Sequence, residues 1–508
     1  MFAKIFSGAV VGLDAVPVYV EVDIASQGLP SFSIVGLPDK AVEESKERVR
    51  AAIKNSGAEF PAKRITVNLA PADLPKAGPS YDLPIALGIL IASGQLQLPK
   101  ENAYYMGELS LDGSLRHTNG ILPIAILVKQ EGIASLFVPA VDAKEAAIID
   151  TVTVYPVLSL LSLFHHMSGS ETIKPQKYIP FEHITGLQHF DFDLSDIHGQ
   201  EHVKRGLEIA AAGGHNIFMQ GPPGAGKTML ARTLPSILPK LTKTEAFEVT
   251  KIYSVTGNLP NGESIIKYRP FRAPHHTTSR IGLIGGGTHP APGEISLAHR
   301  GVLFLDEFPE FPRHVLEALR QPIEDGIVSI SRAAGTVSYP AKFMLIAAAN
   351  PCPCGNYGSE TKRCTCLPGS IIRYQKRISG PIIDRIDLHA HVPAVAVEKL
   401  TGATFNAESS RVVQQRVQEA RDRQLHRLKK YSLSANTEMS TKIVKDLCLL
   451  SPEVHAFLRQ AVSRLGLSAR SYYRVIKVSR TIADLAGDHE ITLPHVAESL
   501  QYRPKEDS

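Results

Sequence analysis

No apolar run in the chain approaches the roughly 18–20 residues needed to cross a bilayer. The opening "MFAKIFSGAVVGLDAVPVYVEVD" has one lysine and a short apolar stretch, as a signal peptide does. Asp14, Glu21 and Asp23 interrupt it, and it reads as two strands. Cysteine is scarce: there are five in 508 residues, four of them within fifteen positions, which argues against a secreted disulfide framework and suits a metal knuckle. Charge of either sign is in little excess. A formal +5 permits a nucleic-acid partner without demanding one. There is no internal repeat and no low-complexity tract, so a soluble cytoplasmic protein with no membrane partner is expected. With 44% apolar and 21% charged residues it can bury real cores, and its length suits domains of roughly 100–200 residues.

Residues 1–164 alternate β-rich runs ("VPVYVEVDI", "ITVNLA", "SLFVPA") with helical stretches ("AVEESKERVRAAIKNSG", "DLPIALGILIASG"), the pattern of an α/β domain. Residues 165–190 are polar, carry two prolines and read as a linker. A second α/β region spans 191–395. From 396 to 508 the pattern is helical, as in "RVVQQRVQEARDRQLHRLKK" and "ARSYYRVIKVSRTIADLAG", with apolar residues at three-four spacing.

"GPPGAGKT" fills the Walker A pattern with Gly221, Pro222, Pro223, Gly224, Ala225, Gly226, Lys227 and Thr228, between the strand-like "NIFMQ" and a helical "TMLARTLPSIL". Glycines let backbone N–H groups curl around phosphates, and the following helix points its positive end at them. Lys227 is expected on the β/γ-phosphates of ATP and Thr228 on Mg²⁺. "GVLFLDEF" reads as a buried strand ending in Asp306, expected to hold Mg²⁺ through water, and Glu307, expected to activate the attacking water. A further apolar strand, "FMLIAAAN", ends in Asn350, where an amide could position that water.

These motifs resemble those of AAA+ ATPases. The resemblance implies a sensor-1 role for Asn350 and an arginine-finger role for Arg385 in "GPIIDRIDLHAHV", acting on a neighbouring subunit. A plain surface cluster of Asp384, Arg385 and Asp387 is the alternative. It also implies sensor-2 contact from Arg470, or else Arg474, and places Ile197 and Gly199 near the adenine. A finger supplied in trans implies a homo-oligomer, by family habit a hexamer. A glycine-rich insertion ("FRAPHHTTSRIGLIGGGTHPAPGEISLAHRG") and a hairpin ("IVSISRAAGTVSYP") resemble the magnesium-chelatase and MCM helicase branch. Arg332 near the hairpin tip is then a candidate DNA phosphate contact or a solvated turn residue.

"IVGLPDKAVEESKERVRAAIKNSG", "RPFRAPHHTTS", "NPCPCG" and "ISGPIIDRIDLH" resemble the YifB/ComM family over essentially the whole chain. The resemblance implies a Lon protease-like (ribosomal S5 domain 2-like) N-terminal domain, a P-loop AAA+ α/β core and a C-terminal helical lid. It implies an ATP-driven ring acting on single-stranded or branched DNA, a branch-migration helicase supporting recombination in natural transformation. The alternatives are an ATPase that remodels a protein partner, of chelatase or chaperone kind, and an ATP-dependent protease.

"KAGPSYDLPIALGILIASG" bears on the last of these, because Ser80 occupies the Lon nucleophile place and needs a basic neighbour. In "SLRHTNGILPIAILVKQEGI" the base position falls on Val128 or Leu122, neither of which accepts a proton, and a one-residue slip would bring in Lys129. Lys76 is expected to face solvent, and Ser80 to cap the following helix after a turn shaped by Gly78 and Pro79. Cys352, Cys354, Cys364 and Cys366 (C-x-C-x9-C-x-C) are expected to bind Zn²⁺ in a loop carrying basic residues, with free thiols as the alternative. Cys448 is expected in a core, and His275 and His276 as polar loop residues, with a ligand role as the alternative. The basic run 411–430 offers either phosphate affinity or a solvated helix face.

Overall fold

The computed structural model describes residues 1–508 except 100, 185–189, 261, 288–289, 333–334, 359–361, 395–407 and 505–508. The chain forms two compact units: Met1–Gly186 with Lys243–Ile266, and Leu187–Thr242 with Lys267–Ser508.

The first unit is built on a seven-stranded mixed sheet. Across it the strands run Ser31–Val35, Arg64–Ala70, Asp14–Ile24, Phe2–Val11, Ala103–Tyr105, Ser135–Pro139 and Thr153–Val157. The first two in sequence form an antiparallel hairpin with Phe2 opposite Asp23 and Val11 opposite Asp14. Val18, Val20, Val22 and Ile24 are buried while Glu21 and Asp23 alternate with them, so period-two patterning accommodates the acids that break up the apolar run. Helix Lys40–Asn55 begins where Asp39 accepts from Val42 N at 2.8 Å. Helix Asp82–Ala92 is apolar on all sides and almost wholly buried.

Three expectations for this unit need correction. Ser80 lies inside a short 3₁₀ turn, Pro79–Tyr81, entered through Gly78 at φ 84°, and no side chain caps the helix that follows. Lys76 is buried instead of facing solvent: its ammonium donates to Pro71 O, and loss of hydration pulls its pKa down. The polar stretch expected to link from residue 165 belongs in part to this unit, since helix Leu160–Ser168 continues into it and Gln176 N donates to Val154 O at 2.8 Å. Lys129 points outward and pairs with Asp150, while Val128 and Leu122 are buried.

Helix Lys243–Thr256 lies in sequence between the two Walker motifs, yet it packs in the first unit. Val249 and Ile252 are buried, and Lys251 pairs with Asp14 at 2.9 Å. Gly120 N donates to Ser254 O at 3.0 Å, and Ser254 Oγ donates to Glu145 at 2.6 Å. Glu145 also accepts from Leu122 N at 2.8 Å, and burial pushes its pKa up to about 7 from the ordinary 4.5. The unfolded chain therefore binds fewer protons than the folded one between about pH 4.5 and 7, and stability falls as pH rises through that window. The loss is about 3 kcal/mol at most. Glu145→Gln keeps an acceptor without the charge, so its urea midpoint should fall less between pH 5 and 8 than that of the parent. Parallel midpoint curves for the two proteins would remove Glu145 from the pH dependence.

The second unit holds a five-stranded, all-parallel sheet. Its strands run Phe271–Arg272, Val302–Leu305, Met344–Ala349, Ile217–Gln220 and Leu388–His391. "VLFL" and "MLIAAA" are buried at every position, as parallel strands covered on both faces require. This mixed α/β unit, with its parallel sheet and helical C-terminal part, has the architecture of an AAA+ P-loop fold. The expected hairpin is present as Ile327–Arg332 against Gly335–Pro340, with Arg332 paired to Gly335. Cys448 is buried in the C-terminal helical core, as expected.

Helix Ser410–Leu428 carries most of the basic run, and part of that run is a solvated face: Arg411, Arg423, Lys429 and Lys430 are exposed. Its remaining cations are engaged within the unit. Arg421 donates to Ala211 O and Ala212 O, Arg416 pairs with Glu208 and Glu408, and Arg427 pairs with Asp484 at 2.6 Å. Among the described residues no helix is long and apolar enough to cross a membrane.

A candidate nucleotide-hydrolysis site

The P-loop leaves the C-terminal end of strand Ile217–Gln220. Gly221 has no room for a side chain, since a Cβ there would lie 2.1 Å from Val392 O, and Gly224 and Gly226 adopt φ of 77° and 87°. Lys227 opens helix Lys227–Thr233 and folds back over the loop. Its Nζ donates to Gly221 O (2.7 Å), Pro222 O (2.9 Å) and Asn350 Oδ1 (3.0 Å). Burial lowers its pKa, opposed by the charge of Asp306. Thr228 Oγ1 donates to Asp306 Oδ2 at 2.6 Å, so the two oxygen donors expected to serve Mg²⁺ already face one another. That donor set fits a small hard cation bridging protein and phosphate.

Glu307 stands in the left-handed region at φ 50°, ψ 43°, a conformation costing a non-glycine residue on the order of 1 kcal/mol or more. Glu307 Oε2 lies 3.1 Å from Nδ1 of His276, in the "APHH" segment just after strand Phe271–Arg272. Ile197 is buried and Gly199 has φ 70°; beside them a cavity of about 610 Å³ is lined by His198, Gly199, Lys204, Glu408 and Arg416.

Lys227, Thr228, Asp306, Glu307 and Asn350 thus converge, but Arg385 and Arg470 do not join them. Strand Leu388–His391 pairs in parallel with Ile217–Gln220, Leu388 beside Ile217 and His391 beside Gln220. Arg385 precedes that strand, and Asn216 Nδ2 donates to its carbonyl at 3.2 Å, so it sits at the N-terminal ends of strands whose C-terminal ends carry the P-loop. Four residues at about 3.3 Å each put about 13 Å between the two ends. The expected alternative of a surface cluster is not what forms, because Arg385 and Asp387 are both buried. The Arg385 guanidinium pairs with Glu324, which also pairs with Arg470 at 3.2 Å, and Arg385 Nε has no hydrogen-bond partner among the described residues. Arg474 pairs instead with Asp387 at 3.3 Å.

The four clustered thiols follow Asn350 directly. Cys352 Sγ lies 3.4 Å from Cys354 Sγ and 3.7 Å from Cys364 Sγ, and Cys354 Sγ lies 3.6 Å from Cys364 Sγ. All four sulfurs fall within 4.8 Å of one another. Backbone N–H groups of Asn356 and Thr365 pull the Cys354 thiol down to about 5.

Three family models match the chain: "Magnesium chelatase, subunit ChlI" over residues 193–400, "Subunit ChlI of Mg-chelatase" over 20–142 and "Magnesium chelatase, subunit ChlI C-terminal" over 407–503. The chain is 45% identical to the competence protein ComM of Haemophilus influenzae over 503 residues, 99% of this chain and 97% of that protein. It is 45% identical to the uncharacterized protein YifB of Escherichia coli over 500 residues, 97% and 96% of the two chains. The chain belongs to the YifB/ComM family. Like other members of the YifB/ComM family it carries a magnesium-chelatase-type AAA+ ATPase unit, for which ATP and Mg²⁺ are the implied ligands. A more distant similarity, 22% identity over 329 residues, links it to the zygotic DNA replication licensing factor mcm6-A of Xenopus laevis; it covers 60% of this chain and 36% of that one.

Two residues of this YifB/ComM-family site escaped the sequence reading. His276 was expected as a polar loop residue or a ligand, not as a partner of Glu307, and Glu324 carried no motif at all. Neither lies near its partner in sequence, and only the place of "APHH" beside the Walker B strand could have drawn attention to His276.

Proposed function

We propose that this chain is an ATP-driven, ring-forming DNA motor, a branch-migration helicase that supports recombination in natural transformation. The observation that carries this reading is the division of one hydrolysis site between opposite ends of one sheet. Lys227, Thr228 and Asp306, at the C-terminal ends, would hold the nucleotide and Mg²⁺. Arg385 and Arg470, gathered by Glu324 at the N-terminal ends, lie away from their own P-loop, which supports a role toward a neighbour's nucleotide. Bound Mg²⁺ would neutralise phosphate charge as the terminal bond breaks. Glu307 orients and deprotonates the attacking water, Asn350 fixes its position, and Arg385 meets the γ-phosphate from the next subunit. A ring, of six by family habit, follows from this arrangement.

The DNA assignment is supported by hairpin Ile327–Pro340, whose first strand ends in Arg332, and by the names of the relatives: a competence protein and a DNA replication licensing factor. In this reading the N-terminal part is a Lon-like domain without a proteolytic role, serving assembly or substrate engagement. The cysteine loop holds Zn²⁺, and the protein works in the cytoplasm. The test is ATPase activity with single-stranded, duplex and branched DNA. Stimulation that is strongest with single-stranded or branched DNA is expected. A rate indifferent to all three, but raised by a protein partner, would replace the DNA motor with a protein-remodelling ATPase.

A further inference from the structure

The cysteine loop and the P-loop touch. Cys352 lies two residues beyond Asn350, whose side chain accepts from Lys227 at 3.0 Å, and Gly221 N donates to Ala349 O at 3.2 Å. Gly355, inside the cysteine loop at φ 80°, lies flush on Pro223 of the P-loop: a Cβ there would come within 2.4 Å of Pro223 Cδ. Gly355 N donates to Cys352 O at 2.9 Å, so the turn that presents Gly355 is closed by a cysteine of the cluster.

The sulfurs are spaced for a metal. A Zn–S distance of about 2.3 Å in a tetrahedron gives sulfur–sulfur edges of about 3.8 Å. The separations of 3.4, 3.6 and 3.7 Å are near that value, and far longer than the roughly 2.05 Å of a disulfide. Two backbone amides already point at sulfur: Cys354 N at Cys366 Sγ (3.4 Å) and Tyr357 N at Cys352 Sγ (3.3 Å). Such donors stabilise thiolates, as a closed four-sulfur site requires.

We infer that one Zn²⁺ held by Cys352, Cys354, Cys364 and Cys366 braces the P-loop through Gly355 and Pro223, making the metal a structural part of the nucleotide site. On binding, the thiols release their protons to solvent and the thiolates close the tetrahedron. The fixed knuckle then holds Pro223 and Asn350 where the loop's backbone amides can converge on phosphate. The inference rests on the P-loop being the nucleotide site, and its test separates the two.

Reduced, chelator-washed full-length protein should contain about one zinc per chain and bind a fluorescent ATP analogue. Cys364→Ser/Cys366→Ser, altered away from the Gly355 contact, should lose the zinc and bind the analogue roughly tenfold more weakly, because the loop is no longer preorganised. Gly355→Ala keeps all four thiols, so it should retain the zinc and still bind more weakly. Stripping zinc from the parent with a strong chelator and restoring it should remove and return affinity, a measurement independent of how the serine variant folds. Zinc near zero in the washed parent would overturn the metal site. Full zinc in the parent, with unchanged affinity in both variants and after stripping, would overturn the brace. A parent that holds zinc but binds no nucleotide would instead remove the P-loop assignment beneath it.

Discussion

Arg385→Ala should bind ATP almost as tightly as the parent and hydrolyse it on the order of 10²-fold or more slowly, toward the lower reach of fingers supplied in trans. Binding is spared because about 13 Å of sheet separates Arg385 from its own P-loop. The fold should tolerate the change, since Glu324 is 40% exposed and keeps Arg470, leaving no buried carboxylate stranded. Mixing this variant with Lys227→Ala makes the sharper measurement. Lys227→Ala subunits bind nucleotide poorly but still present Arg385, and Arg385→Ala subunits present a complete P-loop. A mixed ring should therefore recover hydrolysis at some interfaces. Strand displacement should recover less, because moving DNA requires successive sites to fire. Co-assembled subunits that recover nothing would show that Arg385 does not act across an interface.

Glu307→Gln should keep nucleotide affinity and lose hydrolysis by on the order of 10²- to 10⁴-fold, the range for removing a positioned general base. Glutamine preserves the shape at φ 50° and can still meet His276, so what is lost is the charge that draws a proton from water. The variant should collect as an assembled, ATP-loaded ring detectable by light scattering after size separation. Near-normal turnover would transfer the base role to another residue. His276→Ala is informative beside it: freeing Glu307 from its 3.1 Å partner should change kcat while leaving the KM for ATP in place, because His276 pairs with Glu307 and not with Lys227 or Thr228.

Sequence showed most clearly those parts whose chemistry is written in consecutive residues. Backbone curvature around phosphate demands glycines at fixed positions, so the loop from Gly221 to Thr228 was legible, as were the buried runs ending in Asp306 and Asn350. The hairpin at Ile327–Pro340 showed through its alternation. What stayed hidden depended on partners far along the chain. Lysine is almost never fully buried, so nothing local announced that Lys76 would be. The pairing of His276 with Glu307, and of Glu324 with two arginines, joins segments far apart in the sequence. The basic helix Ser410–Leu428 did not show which of its cations would be tied down, because the partners of Arg416, Arg421 and Arg427 (Glu208, Asp484 and the carbonyls of Ala211 and Ala212) come from other segments. Helix Lys243–Thr256 has an apolar side like any other, and its sequence does not say which unit will cover it.

That helix has a consequence for how such a protein can change over generations. Because Lys243–Ile266 belongs to the first unit while its neighbours on either side belong to the second, the backbone passes between the units three times. Two units joined by a single tether can be exchanged as cassettes, one gene fusion at a time. Here, removing residues 1–186 would strand Val249, Ile252 and the hydroxyl of Ser254 without the partners that bury them, in the middle of the ATPase sequence. Inheritance therefore carries the two units as one, and drift in the Glu145–Ser254 contact on one side must be matched on the other. Lineages that discard the N-terminal unit should carry a shortened or polar segment where Lys243–Ile266 now stands.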